Sequence, residues 1–111
     1  MLEEKISAAY ELLRDEDVDA FNALRAKGSE TDLTKVKFRS FDLKGANLSG
    51  LDLSGSSFKN ADLRGLDLSD CNLEGCSFLN AKVSGVAFPS NIDPQEIILS
   101  LEHGTRIRLN V

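Results

Sequence analysis

Ala46-Asn47-Leu48-Ser49-Gly50, Leu51-Asp52-Leu53-Ser54-Gly55 and Ala61-Asp62-Leu63-Arg64-Gly65 are copies of one five-residue pattern, and that pattern runs from Thr31 to Ser90. Its centres are Leu33, Phe38, Leu43, Leu48, Leu53, Phe58, Leu63, Leu68, Leu73, Phe78, Val83 and Phe88, all large and apolar. Two residues before each centre the side chain is mostly small or apolar, as at Val36, Ala46, Ser56, Ala61, Cys71 and Cys76. Two residues after the centres stand Gly45, Gly50, Gly55, Gly65, Gly75 and Gly85, with Asn60, Asp70 and Asn80 in three further slots. Those are turn residues.

A helix advances about 100° per residue, so a five-residue period drifts roughly 140° per repeat and builds no fixed apolar face. In a straight strand an odd period throws successive centres to opposite sides. A short extended segment remains, with the centre and the residue two before it pointing inward, followed by a bend that re-aims the next segment. Repeated turning in one sense gives stacked coils, so the period predicts an all-β solenoid filled by both inward positions.

The residues also resemble the pentapeptide-repeat family, whose motif is a small residue, Asp or Asn, Leu and two variable residues. Ala46–Gly50 and Ala61–Gly65 fit it fully, while Phe41–Gly45, Leu51–Gly55, Leu66–Asp70 and Cys71–Gly75 keep the Asp/Asn-Leu pair. The resemblance implies a right-handed quadrilateral β-helix with four repeats per coil, hence about three coils. Phe38, Phe58 and Phe78, spaced by twenty, would then stack on one side. Lys37 and Lys82 depart from the motif where an acid or amide is usual.

An open solenoid exposes strand edges and apolar interior at both ends. The flanks predict covers for them. Leu2, Ile6, Ala9, Tyr10 and Leu13 share one helical stripe, and a second helix from Glu16 to Lys27 would bury Val18, Phe21 and Leu24, capped by Asp15 or Asp17 and ended by Gly28. Asp93-Pro94-Gln95-Glu96 has the features of a helix start, predicting a third helix over Pro94–His103 with Ile97, Ile98 and Leu101 as its apolar stripe. Ile107, Leu109 and Val111 alternate with polar residues as a short strand. The expectation is one domain over 1–111: a helical cap (1–30), the repeats (31–90), and a helix with a short strand (91–111). Caps at both ends favour a monomer. Some members of the resembled family dimerise through a C-terminal helix, which makes Ile97, Ile98 and Leu101 an alternative dimer face.

No segment approaches the eighteen or so apolar residues of a membrane span, and the acidic start Met1-Leu2-Glu3-Glu4 is unlike a secretory signal, so a cytoplasmic location is expected. Cys71 and Cys76 read as compact inward hydrophobes, and with the single His103 they make no metal-ligand set; no cofactor is expected. The polar residues one before the centres, Asp32, Asp42, Asn47, Asp52, Asp62, Asp67 and Asn72, read as scaffold rather than paired catalytic carboxylates. No enzyme is predicted.

If coils hold the twenty residues that the resemblance implies, Arg39 stacks below Lys59 and Lys44 below Arg64, with Lys35 and Lys37 nearby. This basic quadrant is the candidate partner-binding surface, unless Asp42 and Asp62 neutralise Lys44 and Arg64 as ordinary exposed pairs worth little. Residues 1–30 carry eight acids and four bases, and the repeats carry seven of each, so the net charge of −5 resides mainly in the N-terminal segment. The sequence therefore points to a non-catalytic protein-interaction or scaffold module with an unknown protein partner. Direct nucleic-acid binding ranks lower because phosphate contacts need a basic surplus. The alternative, from resemblance to acidic quinolone-resistance solenoids, is a DNA-mimicking modulator of gyrase, a type II topoisomerase. A neutral solenoid of three coils at about 4.8 Å, roughly 14 Å long against about 34 Å for one DNA turn, counts against it.

Overall fold

The computed structural model describes residues 7–29 and 31–110. Every isolated bridge in the repeats is parallel and joins residues twenty apart: Lys37 to Ser57 to Ser77, Asp42 to Asp62 to Lys82, Asp52 to Asn72, and Asp67 to Ala87. The chain therefore passes beside itself after every fourth repeat, and residues twenty apart form columns. In each bridge the residue of the later layer uses both of its peptide groups, bonding to the two neighbours of its partner. The Asp62 N–H donates to the Phe41 carbonyl and its carbonyl accepts from the Leu43 N–H, both at 2.9 Å, as in a parallel ladder. A corner on either side keeps each pairing one residue wide, so no longer regular strand forms among the described residues.

The corners follow from backbone sterics. The carbonyl of a centre accepts the N–H three residues on, as from Leu43 to Ala46 and from Phe58 to Ala61, both 3.0 Å. The second residue inside that turn has φ of 81° at Gly45 and 60° at Asn60, the position where a type II turn requires positive φ.

Inside, the centres from Leu33 to Phe78 are all buried. Phe38, Phe58 and Phe78 stack with centroids 4.9 and 5.2 Å apart and interplanar angles of 13° and 5°. The ladder spacing of about 4.8 Å imposes that arrangement on identical side chains in one column. Small inward residues also serve the backbone. The Ser56 hydroxyl donates to the Leu33 carbonyl (2.8 Å) and accepts from the Val36 N–H (3.1 Å). Cys71 and Cys76 donate through Sγ to the carbonyls of Leu48 and Leu53.

Helix α1 (Ala8–Arg14) and helix α2 (Val18–Ala26) lie against the first layer. Ser7 caps α1 and Asp17 caps α2, each accepting a backbone N–H in the first turn. Ala9, Leu13 and Phe21 join the solenoid core, and Tyr10 meets Phe41 with ring centroids 5.7 Å apart. The Leu2 and Ile6 end of the expected α1 stripe lies outside the described residues. From α2, the Asn22 side-chain amide accepts from the Asn47 N–H (2.7 Å) and donates to the Gly45 carbonyl (3.0 Å), while Arg25 donates to the carbonyls of Asn47 (3.1 Å) and Ser49. Two polar side chains thus take backbone groups of the first layer that would otherwise have no layer below to pair with.

At the other end, helix α3 spans Pro94–His103 with Asp93 as N-cap and Gly104 (φ 72°) as its left-handed C-cap. The Ser100 hydroxyl accepts from the Phe78 N–H (2.9 Å), the Leu101 carbonyl accepts from Asn80, and Ile107 exchanges bonds with Gly75 and Cys76. The face that α3 turns inward is Ile97, Ser100 and Leu101. Ile98, expected on this stripe, is 45% exposed, because it stands about 100° around the helix from Ile97. The expected alternating strand at the C-terminus is also corrected: residues 104–110 form no strand, although Ile107 is buried and hydrogen-bonded. Val111 lies outside the described residues.

Val83 and Phe88, expected as fully inward centres, are half-buried. They belong to the last layer, and the hydrogen bonds of α3 and Ile107 reach the Gly75–Asn80 part of it. Among the described residues, no helix is long and apolar enough to cross a membrane.

Candidate interaction surface

Two outward positions per repeat carry the chemistry of the surface, the residues just before and just after each centre. Where the first is Asp or Asn, its side chain accepts the N–H two residues on. Asp32, Asp42, Asn47, Asp52, Asp62, Asp67 and Asn72 all do this, at 2.9–3.2 Å. This Asx turn satisfies a backbone donor just before the corner, which gives the expected scaffold role of these residues a specific bond. The Ser69 hydroxyl also donates to Asp67 and holds its carboxyl below the usual range.

The column of Asp42, Asp62 and Lys82 holds two of its three cations, Lys44 and Arg64, on one carboxylate. Arg64 donates twice to Asp62, at 2.9 and 2.7 Å, and Lys44 lies 3.7 Å from the same carboxylate. The Arg64 side-chain hydrogen bonds hold Asp62 well below the ordinary carboxylate range, against opposing desolvation, and Asp62 in turn raises the Arg64 guanidinium. Lys44 and Arg64 are therefore committed to a local pair.

The neighbouring column of Lys37, Ser57 and Ser77 is built differently. Residues 36–40, 56–60 and 76–80 include no Asp or Glu. Lys37, Arg39 and Lys59 are exposed and make no ion pair among the described residues. Register sets Arg39 beside Lys59, with the Ser40 N–H bonded to the Lys59 carbonyl at 2.9 Å. The Asx turn is absent from all three levels of this column. Its corners also carry side chains: Lys35 (φ 55°), Ser40 (63°), Asn60 (60°) and Asn80 (57°) are the non-glycine residues with positive φ in the repeats. That conformation costs a non-glycine residue about 1–2 kcal/mol, less for Asn.

The four proposed contact residues thus divide into a paired set, Lys44 and Arg64, and an unpaired set, Arg39 and Lys59. Sequence reasoning placed Lys37 at the edge of the patch. The signal that places it within the unpaired set is the acid-free run of its own column, readable once the twenty-residue register is known.

Burial pushes the Cys76 thiol up to about 12 and raises Cys71 as well, away from the thiolate that a nucleophile requires. His103 is exposed beside Glu102, at 3.8 Å. An open depression is lined by Glu74, Asp93, Glu96 and Arg108, but Glu96 is bound to Arg108 and Glu74 accepts the Leu109 N–H. The Arg108 hydrogen bonds hold Glu96 below the usual range. No group of three or more His, Cys, Asp or Glu among the described residues could hold a metal ion.

A family model of pentapeptide repeats matches eight copies over residues 29–65, 42–80 and 52–88, together more than half of the 111 residues. The chain belongs to the pentapeptide-repeat family. No curated protein and no solved structure matches it. Pentapeptide repeats form a β-helix solenoid, and in this pentapeptide-repeat protein each motif position has a physical task. The small residue and the Leu or Phe fill the interior, the Asp or Asn closes the Asx turn, and the fifth residue makes the corner. The fourth residue is free of these tasks, and along the Lys37 column so is the second.

Proposed function

We propose that this pentapeptide-repeat protein is a rigid, non-catalytic interaction module, a monomer in the cytoplasm that presents solenoid faces to a partner protein. The proposed architecture is a right-handed, four-sided β-helix of about three coils, forming one domain with its helical caps. The observation that carries the reading is the contrast between neighbouring columns: one ties Lys44 and Arg64 to Asp62 and leaves only Lys82 over, while the other leaves Lys37, Arg39 and Lys59 all exposed and without ion pairs among the described residues. An unbalanced surface on a stiff scaffold suits recognition more than turnover. The gyrase reading is less well supported, because the repeats carry as many bases as acids and a DNA mimic needs sustained negative surface.

The test is affinity capture from native-host lysate with the full chain as bait, followed by reconstitution from purified components. One saturably binding protein partner is the expected result. Recovery of no specific protein, or inhibition of gyrase supercoiling at low micromolar concentration, would overturn the module reading. Light scattering should give a monomeric mass; a dimer lost on Ile98→Glu would instead make α3 a self-association face.

A further inference from the structure

We infer that the column of Lys37, Arg39 and Lys59 is a docking strip for an extended, acidic segment of a partner protein; this deepens the module reading and rests on it. Three related features meet on the column. It has no carboxylate at any level, its cations lack ion-pair partners among the described residues, and it forgoes the Asx turn that Asp and Asn provide in the adjacent columns. Placing Asp at residue 57, for example, would satisfy the Lys59 N–H and neutralise a cation together. The column therefore keeps its positive charge at the expense of a locally available bond.

Geometry selects the occupant. Lys37 and Arg39 are two residues apart on an extended segment, so their side chains emerge on one side about 6.8 Å apart, and the next layer sets Lys59 about 4.8 Å beyond Arg39. Alternate residues of an extended polypeptide have the same spacing, so two carboxylates at i and i+2 meet Lys37 and Arg39 together. The strip is also narrow. Asp32 and Asp52 stand on the column to one side, and Asp42 and Asp62 on the other. A chain paired with both Lys37 and Arg39 runs across the strip, so one carboxylate pair at i and i+2 fits before the flanking carboxylates are reached, whereas a nucleic-acid backbone, charged at every nucleotide, would run onto them. The half-exposed Ser57 and exposed Ser40 and Asn60 supply hydrogen-bonding groups along the strip.

The probe is a fluorescein-labelled peptide with a single Glu-Ser-Glu segment among Ser and Gly, titrated with the full chain by fluorescence anisotropy at low salt. The expected result is saturable binding that weakens as salt is added, since screening shortens from about 10 Å at 0.1 M to about 3 Å at 1 M. Lys37→Ser, Arg39→Ser and Lys59→Ser combined should raise Kd about tenfold or more, while Lys44→Ser with Arg64→Ser should leave it nearly unchanged. Ser57→Asp separates binding from folding: it should weaken the peptide complex while raising Tm. Three outcomes would overturn the inference: no saturable peptide binding, undiminished binding by the triple variant, or preferential binding of a single-stranded oligonucleotide of equal charge. If the triple variant still captures the lysate partner, the strip is wrong and the module reading stands. An absent partner with either bait removes both.

Discussion

The column of Lys37, Ser57 and Ser77 and the adjacent column of Asp42, Asp62 and Lys82 share one backbone pattern and one kind of interior, yet their surfaces follow opposite rules. Inside, the first stacks Phe38, Phe58 and Phe78, and the second aligns Leu43, Leu63 and Val83. Outside, the first leaves Lys37, Arg39 and Lys59 without ion pairs among the described residues, whereas the second ties Lys44 and Arg64, though not Lys82, to Asp62. A solenoid constrains its inward and corner residues tightly because each layer must sit on the next. Outward residues bear only on their own column, so the two surfaces can diverge without disturbing the fold.

The largest effects should be equal on the two columns, because they arise inside. Phe58→Ala should cost about 3–5 kcal/mol and Leu63→Ala about 2–5 kcal/mol in urea unfolding, since both side chains are fully buried and neighbouring layers cannot collapse independently into the void. A loss below about 1 kcal/mol at either site would break the equivalence of the two interiors.

Intermediate effects should have opposite signs. Asp42→Ala removes the acceptor of the Lys44 N–H, 3.1 Å away, and should destabilise by about 1 kcal/mol. Ser57→Asp installs the corresponding acceptor where none exists and should stabilise by a similar amount. If both substitutions lower Tm, the Asx turn is not what distinguishes the columns.

Acid should affect only the second column. Arg64 hydrogen bonding depresses the folded-state pKa of Asp62, so the associated stability is fully present above the unfolded carboxylate value of about 3.9. It declines as pH falls below that value and is lost once pH passes below the depressed folded value. The Tm difference between wild type and Arg64→Ser should therefore shrink on acidification; a difference that holds constant from neutral pH to strong acid would sink the assignment. The smallest effect belongs to Arg39→Ser, expected within about 0.5 kcal/mol of wild type, because Arg39 makes no ion pair among the described residues. A larger loss would reveal a structural role for that cation.

The five-residue period, the inward centres, the corner residues and the bounds of α3 follow from side-chain size, tolerance of positive φ, and capping. These are local properties, and so they could be read directly along the chain. The Phe stack became legible only through the family resemblance, because the period by itself does not say that four repeats close one coil. Packing between distant segments settled the rest. Asn22 and Arg25 show no pattern on α2 that marks them as partners for the backbone of 45–49. Val83 and Phe88 look like every other centre, and their half-burial depends on where the C-terminal cap makes its contacts. Charge offers the clearest case: Lys44 and Lys59 occupy the same repeat position, but Lys44 meets Asp62 across its column and Lys59 meets no carboxylate among the described residues. Coulomb attraction depends on distance in space, and for these cations the spatial neighbours come from layers twenty residues away.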